Sequence, residues 1–440
     1  MKQTIVKKAK NLSNEILNMI EDAKNENKNS LNIIFKQIEK LPKEIGNLTN
    51  LKKLNIHRNK LQQIPKEIGN LGNLQFLDIG ENQLQKLPKE IGKLINLREL
   101  YIYKNQLQKL PTEIGNLINL RKLYICNNKL QKLPNEIGNL SNLKNLYMFN
   151  NKLQELPKKF GNLTKLQELD IYNNQLQKLP KKFGNLINLQ NLNISYNNLQ
   201  ELPTEIGKLI NLKELKINNN QLEKLPTEIG KLTNLQKLYI HNNQLKELPK
   251  EFGNLTNLRK LYIDNNQLQT LPNEIGNLSN LEYLDINENQ LQELPTEFGN
   301  LKNLKNLNIS KNQLKKLPSE IENLIKLINL NISNNQLQEV PKEINQLINL
   351  KTLNISNNMN IKGTLQLSNS NLEELYIENT NIDELIVPSD NKLRYINIKN
   401  TTLKSLPQSI CNKIQKYSND ITIAHSYDND DKMFEKLCTR

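Results

Sequence analysis

The chain has 440 residues and a formal net charge of +15, from 60 lysines and arginines against 45 aspartates and glutamates. The basic residues are dispersed rather than gathered in runs, so the excess reads as a solvated basic surface and not as a polybasic tail. No stretch approaches the roughly 18 apolar residues of a membrane span, residues 1–30 lack a continuous apolar leader core, and three widely spaced cysteines, Cys126, Cys411 and Cys438, argue against a disulfide framework or a zinc site.

In chain order the first predicted element is a helix. Ile5, Ala9, Leu12, Ile16, Leu17 and Ile20 fall on one helical stripe, with Ser13 and Asn14 as mild interruptions. Residues 1–28 are therefore expected to cap the segment after them.

That segment is a repeat. LKKLNIHRNKL at residues 51–61 returns as LQFLDIGENQL at 74 and LRELYIYKNQL at 97, and the frame then holds without slip to the unit at 350, fourteen units in all. A worn unit precedes them (Leu31, Ile33 and Ile38, with Lys36 at the asparagine place), and two more start at Leu372 and Leu393, for about seventeen. In each unit, Leu100 and Ile102 of the third for example, apolar residues alternate with outward residues such as Glu99, Tyr101 and Tyr103, the period of a short strand. Asn105 stands at a fixed place after it. An amide both donates and accepts, so this column, from Asn59 to Asn358 with Thr380 and Thr401 in the last two units, suits backbone groups of its own turn and the neighbouring one.

The return half reads LQKLPTEIGNLIN from Leu107. Pro111 fits the first position of a short helix or 3-10 turn, Glu113 the positive end of that turn, and Gly115 a close approach of the next coil. Ile114 and Leu117 point inward. No unit can bury its own apolar face, so stacking is required to make one continuous core.

The pattern LxxLxIxxNxL at 23-residue spacing, with the added LPxEIGxLxNL, resembles the leucine-rich repeat family, and within it the subclass of Ras-group and Roco-type proteins and many bacterial repeat proteins. The resemblance covers roughly residues 30–406. It implies an α/β repeat: a leucine-rich-repeat solenoid, a curved right-handed coil with a parallel inner β-sheet and short helical or 3-10 turns on the convex side. It implies binding more than chemistry, since the family mostly binds proteins.

Two features break the frame. From Lys362 to Asn391 the LPxEIG return is lost, predicting an irregular convex side there, and Glu322 and Asn345 replace the glycine of the return just before it. The expected organisation is a capping helix over 1–28, an array over 29–406, and a cap and tail over 407–440. In that tail LPQSICNKIQKY reads as a last helix, ITIAHSY as an edge strand and DKMFEKL as a final short helix. Cysteine-rich caps of the extracellular kind are lacking, which favours a reducing compartment.

Little in the sequence suggests catalysis, and no catalytic residue, cofactor or metal is expected. His57 and His241 take the same outward place eight repeats apart, too far to share a metal, and Cys126 has no neighbouring histidine. DNDDK at 428–432 lacks the glycine of a calcium loop. The binding candidates lie on the open face of the sheet. Tyr101, Tyr124 and Tyr147 fall in one column, Tyr103, Cys126, Phe149 and Tyr172 in the next, with Arg98 and Arg121 beside them. Exposed aromatics near arginine are common interface anchors. The expected function is a non-enzymatic interaction module or scaffold, cytoplasmic, with a protein partner on Arg98, Tyr101, Tyr103, Arg121, Tyr124, Tyr147, Phe149 and Tyr172. A secreted effector, exported by a non-Sec route into a host cell and acting there by binding a host protein, is the alternative. Nucleic acid is disfavoured, because Asp78, Glu168, Asp170, Asp285 and Glu288 share the face.

Overall fold

The computed structural model describes residues 2–416, 421–426 and 430–438, and the chain divides into two compact units, residues 1–220 and 221–440. Both are built from one kind of coil: a three-residue strand, a tight turn, an extended crossing and a five-residue 3-10 turn. Among the described residues of the first unit, nine strands run from Ser30–Asn32 to Glu214–Lys216, parallel and in register, with Leu100 opposite Leu123 and Leu123 opposite Leu146. In the second unit nine more run from Lys237–Tyr239 to Thr422–Ala424 in the same manner.

Alternation decides which side chains are buried. Within one coil Leu97, Leu100, Ile102, Leu107, Ile114 and Leu117 are fully buried and Leu110 nearly so, while Tyr101 and Tyr103 are half-buried on the open face of the sheet. Each such burial is worth about 1.5–3 kcal/mol, and it exists only when another coil covers it.

The asparagine column joins the coils. Asn105 Nδ2 donates to the carbonyls of Ile102 and Tyr103 in its own turn (both 3.2 Å) and of Ile79 in the preceding coil (3.0 Å), and its Oδ1 accepts the N–H of Leu84 in that coil (2.9 Å). Among the described residues Thr380 and Thr401 keep only the side-chain bond within the turn, to the carbonyls of Ile377 and Ile398. The residue before the asparagine is left-handed in coil after coil, with φ between 50° and 58° from Arg58 to Asn400. Asparagine tolerates that conformation best among residues with a side chain, yet Arg58, Glu81, Lys104, Tyr196, Glu288 and Lys311 also adopt it.

The proline of the return lies one residue earlier than the sequence suggests. The 3-10 turn is Thr112–Asn116, and Pro111 is its N-cap at φ −67°, ψ 149°, with its carbonyl accepting the N–H of Ile114 at 3.1 Å. Proline's preset φ suits that extended cap, and the first bond of the turn needs only its carbonyl. Gly115 serves close packing. A Cβ there would sit 2.5 Å from the carbonyl oxygen of Glu136 in the next 3-10 turn.

Over Lys362–Asn391 the irregular return takes a regular form of its own. Lys362–Gln366 and Asn381–Ile386 pair as a two-stranded parallel sheet, shifted in register at Gly363, whose φ is 81°. This accounts for Asn345 at a glycine place. The facing segment is a strand end rather than a 3-10 turn, and Asn345 bonds both the carbonyl of Gln366 and the N–H of Ser368.

Helix α1 (Lys2–Asn25) packs on the first coil through Ile16, Ile20 and Ala23, and Lys36 pairs with its Glu15 at 2.6 Å. Leu12 and Leu17 are half-buried; the side chains of Ile5 and Ala9 lie outside the described residues. At the other end α2 (Gln408–Lys416) and α3 (Asp430–Leu437) flank the strand Thr422–Ala424, which pairs with Tyr395–Asn397. Here the structure corrects the expectation about cysteines: Cys411 and Cys438 form a disulfide, their Cα atoms 5.6 Å apart. The C-terminus folds back far enough for Leu406 N–H to reach the carbonyl of Leu437, so a sequence separation of 27 becomes a short spatial one. Residues 428 and 429 of the acidic DNDDK stretch lie outside the described residues.

The inter-coil contacts set the outcome of two stability measurements. Asn220 donates to the carbonyls of Ile194, Ile217 and Asn218 and accepts from Leu199, so Asn220→Ala is expected to cost about 1–3 kcal/mol in urea unfolding, and Asn218→Ala far less. Gly115→Ala must push two coils apart and lower the melting temperature. Gly72→Ala, whose Cβ meets nothing within 4 Å, is expected to be neutral or to stabilise by up to about 1 kcal/mol.

Candidate functional site

The register of the strands brings Tyr101, Tyr124 and Tyr147 side by side. Their rings stack at 4.6 and 4.5 Å between centroids, tilted by 21° and 20°. The spacing is set by the sheet: parallel strands repeat at about 4.8 Å, which is close to the offset-stacking distance of two rings. Phe76 extends this ladder, tilted against Tyr101 at 5.3 Å, although it stands at a different place in its own strand. Column reasoning misses that diagonal contact; the signal was a second large ring two residues before Asp78.

The neighbouring column is less uniform. Tyr103 lies back over Gly80, where a Cβ would meet its ring at 2.5 Å. Tyr172 meets Tyr196 edge-on at 5.1 Å. Tyr196 was not among the expected residues, because it occupies the left-handed place and so points differently from the strand positions. Phe149 is half-buried and makes no ring contact among the described residues. Cys126 is a free, buried thiol, and burial pushes its pKa up to about 11, which makes it a neutral side chain. His57 and His241 are half-buried at their outward places on the open face. His57 Nδ1 bonds Asn55 at 2.7 Å and lies 3.4 Å from Asp78, and burial holds His241 below its ordinary pKa.

The hydroxyl groups of Tyr101 and Tyr147 stay protonated. Tyr101 donates to Glu99 at 2.8 Å, and burial followed by that carboxylate raises its pKa well above the usual value; burial and Tyr124 raise Tyr147 to about 12. The two arginines stand apart from the rings. Arg98 and Arg121 are exposed and share a hollow of about 350 Å³ with Asn96, Asn119 and Asn142, which none of the tyrosines lines. Those asparagines form a second ladder, Asn119 Nδ2 to the Ile95 carbonyl and Asn142 to that of Ile118. On the far side of Tyr147 lies a hollow of about 230 Å³ lined by Glu168, Asp170, Glu214 and Lys216. The first unit thus presents guanidinium groups, a stacked aromatic floor and a carboxylate-rich trough.

The second unit carries a shorter ladder, Tyr239, Tyr262 and Tyr283, with centroids 4.8 and 4.7 Å apart. Beside it Asp264, half-buried, has its pKa pushed up to about 6, first by burial and then by Asp285 and Glu288. Among the described residues no helix is long and apolar enough to cross a membrane, and no group of histidine, cysteine and carboxylate side chains could hold a metal ion.

A family model described as a leucine-rich repeat region matches residues 36–120, 107–217, 169–267 and 202–287, and a leucine-rich repeat model matches 280–301 and 303–324. The solved structure of a leucine-rich repeat protein from Leptospira interrogans is 35% identical over 92% of this chain and 97% of that one, with a TM-score of 0.74. The plant peptide hormone receptor RGFR1, solved in complex with RGF2, is 29% identical over 88% of this chain and 68% of that one, with a TM-score of 0.73. An internalin from Listeria monocytogenes is 26% identical over 72% of this chain and 90% of that one, with a TM-score of 0.61. No curated protein matches the chain.

Asp264 gives a pH prediction. Its folded pKa lies above the ordinary 3.8, so the folded state holds the proton more tightly than the unfolded chain does. Its contribution to stability is complete below the ordinary value and is lost as pH rises through about 6. Urea midpoints of the wild type are expected to fall across that window relative to Asp264→Asn. A carboxyl carbon resonance of Asp264 titrating near its ordinary value would contradict this.

Proposed function

Since the chain belongs to the leucine-rich repeat family, whose fold generally serves as a protein-interaction module, we propose that it is a non-enzymatic binding module or scaffold whose protein partner docks on the first unit, over Tyr101, Tyr103, Tyr124, Tyr147, Phe149 and Tyr172 with Arg98 and Arg121. The observation that carries the proposal is the stacked floor of Tyr101, Tyr124 and Tyr147, half-buried rings held in register by the sheet beneath them. Rigid rings offer a partner contact area at little entropic cost. The charges give the partner a polarity: acidic groups toward Arg98 and Arg121, an apolar anchor over the rings, basic groups toward Glu168, Asp170 and Glu214. That last hollow speaks against nucleic acid, whose phosphates it would repel.

The sequence suggested the cytoplasm, with export as the alternative. The bond between Cys411 and Cys438 supports an oxidising compartment, where such a bond persists, and so favours a location outside any reducing cytoplasm, that of a host cell included.

The test is the triple variant Tyr101→Ala, Tyr124→Ala, Tyr147→Ala in partner capture from the native cell or its surroundings. Cross-strand ring pairs contribute about 0.2–1 kcal/mol each, so the melting transition is expected to shift only modestly while capture is lost. Unchanged capture would move the partner elsewhere, and a collapsed transition would return the rings to a purely supporting role.

A further inference from the structure

The open face of the second unit carries a trough of different chemistry. It has a volume of about 480 Å³ and lies between Tyr283 and Tyr376, with a floor of asparagines and Thr352 and no charged lining residue. The strands holding it pair in the order Tyr283–Asp285, Asn306–Asn308, Asn329–Asn331, Thr352–Asn354 and Glu374–Tyr376. Four steps of about 4.8 Å put the two tyrosines on the order of 19 Å apart. Each is backed by a second ring, Tyr283 by Tyr262 at 4.7 Å and Tyr376 by Tyr395 at 5.0 Å.

The amides of the floor are oriented. Asn308, Asn331 and Asn354 each accept, through Oδ1, the N–H of the serine two residues on, at 3.3, 3.1 and 3.0 Å. This fixes which end of the amide is occupied. Among the described residues no acceptor bonds the Nδ2 of any of the three. Three adjacent rungs therefore present a column of uncommitted N–H donors. Beside the last of them Ser356 is 2% exposed, and its hydroxyl has no partner among the described residues. Asp285 precedes Asn308 in the column, and Glu374, which accepts the hydroxyl of Tyr376 at 3.2 Å, stands at the far end. These carboxylates repel an anionic ligand.

We propose that this trough binds a neutral oligosaccharide of about three sugar units. A sugar ring offers hydroxyl oxygens to a row of amide N–H groups and a face of C–H groups to a flat aromatic ring, and it needs no charged anchor. An extended peptide would leave its own N–H groups facing these donors. The trough's volume falls within the range of small-ligand sites, about 300–1,000 Å³.

The full chain should be titrated, by calorimetry and saturation-transfer NMR, with cellotriose, maltotriose and tri-N-acetylchitotriose, and with trigalacturonate and a lysine-rich peptide as charged comparisons. At least one neutral trisaccharide is expected to bind. Asn331→Asp keeps the acceptor for Ser333 N–H and replaces the donating NH2 by a second, negatively charged acceptor oxygen, so it is expected to weaken binding about tenfold or more with an unchanged melting transition. Tyr376→Ala, the second variant, is expected to do the same, whereas the triple tyrosine variant of the first unit is expected to bind normally. No binding of any neutral trisaccharide at millimolar concentration overturns the proposal. So does binding that neither Asn331→Asp nor Tyr376→Ala weakens, or a preference for trigalacturonate or the peptide.

Discussion

One side chain per coil holds this structure together. The buried asparagine gives its amide hydrogens to carbonyls of two coils and its oxygen to an N–H of the earlier one, as Asn128 does for Ile102, Ile125, Cys126 and Leu107. The Ile102 and Ile125 carbonyls and the Leu107 N–H have no backbone partner among the described residues, and burying them unpaired would cost on the order of a hydrogen bond each. Hydrophobic stacking alone would let coils slide or rotate on one another. The amide allows a single offset, and that offset is what lines up the side chains of the open face.

The proposed binding surface is a by-product of this alignment. Because Leu100, Leu123 and Leu146 are in register, the residues next to them in the chain must also stand in a row. Tyrosine in three successive rungs makes a stacked aromatic floor, and asparagine in three others makes a row of parallel amides. The core residues are the same in both places. Binding chemistry can therefore change rung by rung at almost no cost to the fold, because the outward positions contribute little to burial.

Recurrence is what made parts of this molecule legible in the sequence. Strand, asparagine and glycine columns could be read because a required residue leaves a periodic mark, and so could the tyrosine column. Features that depend on tolerance left weaker marks. The left-handed place before each asparagine holds Arg58, Glu81 and Tyr196 as well as asparagine, since a single αL residue costs only about 1–2 kcal/mol and the surrounding bonds impose it. The strand pair at Lys362–Gln366 and Asn381–Ile386 showed itself only as a lost motif, and the Cys411–Cys438 bond depends on a fold-back that no local pattern encodes. On the candidate surface the columns were visible, but the tilt of Phe76 toward Tyr101 and the separation of Arg98 and Arg121 from the rings depend on side-chain direction, which spacing does not carry.

The inter-coil bonds have a further meaning for how such a chain changes over generations. Each reaches back by a fixed number of residues: 21 and 26 for the buried asparagine, 24 for the asparagine ladder at Asn119 and Asn142. A module of one full period, added or removed in frame, leaves every surviving donor facing an equivalent acceptor. Unequal recombination between such similar stretches of gene can thus lengthen or shorten the array, transplanting whole rungs of tyrosine or asparagine, without passing through an unfolded ancestor. The freedom stops where the bonds stop being equivalent. Asn345, the strand pair beyond it and the Cys411–Cys438 closure make contacts found nowhere else among the described residues, so a module inserted or removed among them would leave donors without equivalent acceptors.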